Sequence, residues 1–245
     1  MRDSHWSFFI PTGSEVSLLE LGSGTGELSC HLAERAGRVE TLCFSEDQRR
    51  QVAGRAHGSG HANVRVQLYH PGSALPFDDG TFDALLVDRM AERAAEEFLA
   101  EAQRVLADDG VLYLGAENRL YHLLGLSSIY GLLRKSTARS DPELQANLRA
   151  LGNDHRPFRR TLGTYRQLLR SAGFHNVRAF APLPDAVRPQ VVITLDGREP
   201  QRFLFRERVR RHSAKTRTAA ALGRIAVATG LLPQVVPFFY LVASK

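Results

Sequence analysis

Apolar positions in the first half of the chain alternate between two periods. Val16, Leu18, Leu19 and Leu21 make a short apolar strand, and Leu28 and Leu32 then recur at helical spacing, which predicts a helix over 26–36. Val39 to Phe44 reads as a second strand. Ser45-Glu46-Asp47-Gln48 has the form of a capping box with acids in the first turn, so a helix follows to about His57. Gly58-Ser59-Gly60 breaks it, and Val64, Val66 and Leu68 alternate as a third strand. Residues 70–81 read as a loop, Phe82 to Asp88 as a near-continuous apolar strand, 91–107 as a helix with Phe98, Ala102 and Val105 on one face, and Val111 to Gly115 as a fifth strand. Strands alternating with helices predict an α/β fold: a doubly wound, mostly parallel sheet with right-handed crossovers.

The pattern loosens after residue 115. Asp141-Pro142-Glu143 reads as the start of a helix ending near Gly152. Thr164 and Gln167 form a second capping box, and Leu168, Leu169 and Ala172 supply an apolar face up to Gly173. Val177 to Phe180 predicts a sixth strand, Val191-Val192-Ile193 a short extra one, and Phe238 to Ala243 a seventh. The expected organisation is a lead-in segment over 1–15, a core over 16–181 with an insertion at about 116–160, a basic insertion over 182–236, and a terminal edge strand over 237–245.

Composition adds three constraints. The 245 residues are 43% hydrophobic and 24% charged, ordinary for a globular chain, with a formal net charge of +6. Positive charge concentrates between Arg198 and Arg224, with Arg202, Arg206, Arg208, Arg210, Arg211, Lys215 and Arg217 against Glu199 and Glu207. That stretch suits a peripheral contact with an anionic surface. Its aromatic interleaving, Phe203 and Phe205, also fits strand alternation, so nucleic acid is not the favoured partner. Cys30 and Cys43 have no metal-ligand spacing, which points to a reducing cytoplasm and to no metal site. From Ile225 to Ser244 no residue is charged, but Pro233 and Pro237 interrupt the run, so a short helix, a break and a strand are expected rather than a membrane span.

The chemistry concentrates in Glu20-Leu21-Gly22-Ser23-Gly24-Thr25-Gly26. A dinucleotide fingerprint would need a glycine where Glu27 stands, and a P-loop would need a lysine that is absent. What remains is E-x-G-x-G-x-G, which resembles the first motif of class I S-adenosylmethionine-dependent methyltransferases. Leu75-Pro76-Phe77 with Gly80, Phe82 and Asp83, and Arg104-Val105-Leu106 with Gly110 and Leu112, are similar to two further habits of that family, in the right order. Leu168 to Phe174 is similar to the end of its last crossover helix, and the resemblance implies that the seventh strand is an antiparallel edge insert paired with the sixth. Residues 117–160 and Ala181-Pro182-Leu183-Pro184-Asp185 also resemble a subgroup found with bacterial polysaccharide or glycan assembly.

The resemblance implies S-adenosyl-L-methionine as cofactor, with Glu20, Gly22, Ser23, Gly24, Thr25 and Gly26 around its methionine and ribose. Phe44, Glu46, Leu75 and Asp88 complete the implied binding set, and Asp88 and His155 are the candidate bases. Glu117 and Asn118 also leave a strand end where substrate or cofactor would sit. Two positions depart from the family: Cys43 stands where an acid usually holds the ribose hydroxyls, and Pro71 where an aspartate usually meets the adenine amino group. Each missing charge-assisted bond would weaken donor binding by roughly 1.5–3 kcal/mol. The implied function is methyl transfer to a small molecule or a glycan-type acceptor. The rivals are a degenerate scaffold or regulatory partner, and an RNA methyltransferase using the basic insertion.

Overall fold

The structure is a computed structural model that describes residues 9–22, 24–88, 95–123, 159–183, 191–197, 201 and 225–245. Strand β1 (Gly13–Leu21) leads through the glycine loop to helix α1 (Glu27–Ala33) and then to β2 (Ala36–Cys43). Helix α2 (Glu46–Gly58) and β3 (Val64–Leu68) follow. Residues 69–81 carry no helix before β4 (Phe82–Asp88), as the sequence predicts. Helix α3 (Ala95–Val105) and β5 (Leu106–Asn118) complete this half. Beyond them come α4 (Arg119–Leu123), β6 (Arg159–Arg160), α5 (Leu162–Ser171), β7 (His175–Leu183), β8 (Val191–Thr194), α6 (Leu232–Val235) and β9 (Phe238–Ser244).

These strands form one mixed sheet in the order β3-β2-β1-β4-β5-β9-β7-β8, with β6 pairing β5 off that path. β1 to β5 run parallel, and β9 runs antiparallel to both β5 and β7. The doubly wound expectation holds, with nine strands among the described residues against the seven and one short extra strand expected. The added pair is β6, a two-residue extension beside the end of β5, and β8, the short strand expected at 191–193. The terminal strand is not an edge. Phe239, Tyr240 and Leu241 are almost fully buried because β9 fills the gap between β5 and β7.

Side-chain alternation builds a core on each face. Leu19, Leu21, Leu42, Leu85, Val87, Leu112 and Leu114 pack with Phe98, Ala102 and Val105 of α3 and with Leu162, Tyr165 and Leu169 of α5. Leu18, Val39, Ala84, Leu86 and Tyr113 pack on the other face with Leu32 and Ala33 of α1 and with Ile10. Ile10 and the ring contact of Phe9 with Phe180 (centroids 4.8 Å apart) bring the lead-in over the domain, although β1 already begins at Gly13. Two element starts differ from the periodicity. Helix α5 is capped by Thr161, whose Oγ1 accepts from Thr164 N–H at 3.2 Å, so Thr164 lies inside the first turn. β5 starts at Leu106, opposite Phe82, and resumes at Val111, opposite Ala84; the register slip between them falls at the expected turn near Gly110.

The loop before β4 is held by the next helix. Arg104 donates to the carbonyls of Leu75 (3.0 Å) and Phe77 (2.8 Å) and pairs with Asp79 (2.7 Å) and Glu101 (2.8 Å). Glu101 in turn accepts from the Leu75 N–H at 2.8 Å. The Arg104 guanidinium beside Glu101 holds its carboxyl below the usual range, and the carboxylates of Glu101 and Asp79 in turn raise the pKa of Arg104. At the far end of the sheet, Asn118 is fully buried. Its Nδ2 approaches the carbonyls of Pro233 (3.0 Å), Gln234 (3.1 Å) and Val236 (2.7 Å), and its N–H donates to Pro237. Among the described residues no helix is long and apolar enough to cross a membrane. The run 225–244 is instead a helical turn, α6 and β9.

Two stability outcomes follow from these contacts. Asn118→Ala strands several buried carbonyls and is expected to cost roughly 2–4 kcal/mol in urea denaturation. Because the folded pKa of Glu101 is depressed, its contribution is present above the unfolded pKa and is lost as pH falls through the folded one. Wild type should therefore lose stability below about pH 4 more steeply than Arg104→Met, which starts from a lower plateau.

Candidate functional site at the glycine loop

In a sheet of this order the direction of winding reverses between β1 and β4, and the crevice outside the carboxyl ends of those strands is where ligands bind. The glycine loop lies there. Gly22, Gly24 and Gly26 all take left-handed backbone, with φ of 79°, 56° and 79°. A side chain at any of the three would be strained, and each would project bulk from a segment that must turn within five residues. At Gly26 an added Cβ would also lie 3.1 Å from both the Cα and Cγ1 of Val52.

The loop is tied on two sides. Gly22 N–H donates to the Leu42 carbonyl at 3.0 Å, joining it to β2. From α2, Gln48 Nε2 donates to the Gly24 carbonyl at 3.4 Å, and Arg55 Nε to the Thr25 carbonyl at 2.8 Å. The capping box is half as expected. Ser45 Oγ accepts from Gln48 N–H at 3.2 Å, but Gln48 Oε1 reaches past the cap to the Phe44 N–H at 2.8 Å.

Glu20 sits one residue before the end of β1, with 2% of its surface exposed. Its Oε2 accepts from Ser29 Oγ at 2.5 Å and Thr41 Oγ1 at 3.3 Å, so one carboxylate brackets β1, β2 and α1. These two partners carried no local sequence signal; only the register that sets Glu20 beside Thr41 brings them in. Cys43 ends β2 fully buried. Glu46 is turned to Arg49, with Nη2 to Oε1 at 2.5 Å, and this bond lowers its pKa. Leu75 is a core residue, 3% exposed, whose backbone is engaged by Glu101 and Arg104.

Asp88 is the last residue of β4, opposite Gly115 of β5, and so lies at the mouth by backbone position. Ser23 and His155 lie outside the described residues, as does the basic stretch over 202–224. Past Gly115, Glu117 is nearly buried and pairs with Arg159 Nε at 2.5 Å, a partner supplied by β6 that the sequence does not point to. Tyr165 donates to the Glu117 carbonyl at 3.2 Å, and burial pushes its phenol pKa well up, which keeps the proton in place. Asn118 is committed to the 233–237 segment, which removes its side chain from the candidate ligand contacts.

The site's construction carries a direct stability consequence. Gly26→Ala combines left-handed strain with the Val52 clash and is expected to cost roughly 2–4 kcal/mol, read by chemical denaturation.

Comparison with known proteins agrees with this arrangement. The sequence family described as a methyltransferase domain matches residues 19–114, which runs from β1 to β5. No curated protein matches the chain. Among solved structures, a SAM-dependent methyltransferase from Thermotoga maritima aligns with 98% of this chain and 85% of its own, at TM-score 0.56 and 17% identity. A complex of the Haloferax volcanii Trm112 methyltransferase activator with a methyltransferase aligns with 100% of this chain and 90% of the matched one, at TM-score 0.57 and 17% identity. Phosphoethanolamine N-methyltransferase 2 of Haemonchus contortus, in complex with S-adenosyl-L-methionine, aligns with 98% of this chain but 50% of its own, at TM-score 0.55 and 14% identity. At such identities the likeness is one of fold. With the domain match over the glycine loop and the five parallel strands, it shows the class I methyltransferase fold built around a methyltransferase domain at residues 19–114.

Proposed function

We propose that the chain transfers a methyl group from S-adenosylmethionine to a small-molecule or glycan-type acceptor. The observation that carries this reading is the left-handed glycine loop at the β1/β4 crevice, with the buried carboxylate of Glu20 behind it. A zwitterionic sulfonium donor needs no phosphate nest. It needs backbone it can approach and a negative charge for its ammonium. Gly22, Gly24 and Gly26 with Ser23 and Thr25 would supply the first, and Glu20 the second. The bound donor supplies an activated methyl. The protein's own contribution is then alignment and exclusion of water, with a base only if the acceptor must lose a proton. Asp88, at the mouth, and His155 are the residues assigned that role. The acceptor would enter past the end of β5, beside Glu117 and Arg159.

The adenosine end supports a second reading. Cys43 is uncharged and buried where the resemblance implies an acid, Glu46 is occupied by Arg49, and Pro71 has no side chain to bond adenine. A site with only its methionine half intact would suit a scaffold or a regulatory partner of an active methyltransferase.

Calorimetric titration of S-adenosylhomocysteine separates the two. Wild type should bind, and Cys43→Asp, checked for folding by its melting curve, should bind roughly ten- to a hundredfold more tightly through the restored ribose contact. Failure of both proteins to bind would remove the enzyme reading and leave the scaffold.

A further inference from the structure

Helix α2 is polar almost all round, and its buried residues are Gln48, Val52 and Ala56. That stripe runs directly to the glycine loop. Gln48 holds the Gly24 carbonyl, Val52 lies against Gly26, and Arg55, one turn further along the same side, holds the Thr25 carbonyl. Three successive loop residues are thus met by three successive turns of one helix. The end of β2 is met by the same side chain, through the Phe44 N–H.

Gln48 is suited to this by its chemistry. Phe44 presents a donor and Gly24 an acceptor, and a carboxamide offers one oxygen and one N–H pair in a fixed plane. An ionised glutamate would satisfy Phe44 but face the Gly24 carbonyl with a second oxygen. A methionine would fill the volume and satisfy neither. Gln48 is 5% exposed, so water does not readily replace either bond.

We infer that Gln48 is a positioning residue for the donor site: it locks the glycine loop to the end of β2, and the affinity for the donor runs through it. The inference rests on the donor reading above. It gains weight from Cys43, because a site without an acid at the end of β2 depends more heavily on the placement of its main chain.

The test uses the full chain with Gln48→Met and Gln48→Glu. Hydrogen exchange of the ligand-free proteins is read at residues 22–26 and 44, alongside melting temperature and S-adenosylhomocysteine affinity. Both variants should exchange at least tenfold faster in the loop and at Phe44, with β4 and β5 unchanged. Gln48→Met should bind S-adenosylhomocysteine about tenfold more weakly at a melting temperature within a few degrees of wild type. If Gln48→Glu fails to fold, Gln48→Met decides alone. Loop exchange equal to wild type overturns the inference, whatever the binding result. So does unchanged affinity with faster exchange, which would separate the loop's order from donor binding. Wild type that fails to bind while the variants' loops loosen upholds the lock and overturns the donor reading instead.

Discussion

The structure depends on a backbone bend that only glycine tolerates. Between β1 and α1 the chain turns through three left-handed positions, Gly22, Gly24 and Gly26, and its outer side rests on α2. Left-handed backbone costs an L-residue about 1–2 kcal/mol per position, so the bend would not persist with side chains in place. Once made, it sets β1 beside both β2 and β4, and places Glu20 where Ser29 and Thr41 can satisfy it. The crevice and its charge are both consequences of that one bend.

The two weaker family patterns share a physical cause. Arg104, from the R-V-L segment, binds the carbonyls of Leu75 and Phe77, from the L-P-F segment. Gly80 N–H closes the connection by donating to the Arg104 carbonyl at 3.0 Å. In this chain one segment is the clamp of the other. With no helix between β3 and β4, this ion-paired clamp fixes the entry of β4, and hence the height at which Asp88 emerges at the mouth.

Much of this was legible in the sequence. The order of elements through β5, the glycine loop, the cap at Ser45 and the break before β9 all rest on local chemistry: period, turn residues and capping side chains. What local chemistry does not carry is pairing. The sequence of β9 says only that it is an apolar strand, and the edge placement comes with the resemblance; its place between β5 and β7 is a matter of topology. Thr164 imitates a cap, but Thr161 takes the role because its backbone is extended and its oxygen faces the first turn. Asn118 looks like a site residue by position, yet its amide closes the 233–237 segment more than a hundred residues away. Gln48 reads as a capping partner, and only the folded chain brings Gly24 within its reach.

The central claim is that donor and glycine loop meet in the β1/β4 crevice. Amide NMR spectra recorded during titration with S-adenosylhomocysteine test it most directly. The account predicts that the largest shifts fall on Gly22, Gly24, Gly26, Phe44 and Asp88, with β7 and β8 unmoved. Saturable shifts that cluster elsewhere on the sheet, with the glycine amides still, would contradict it.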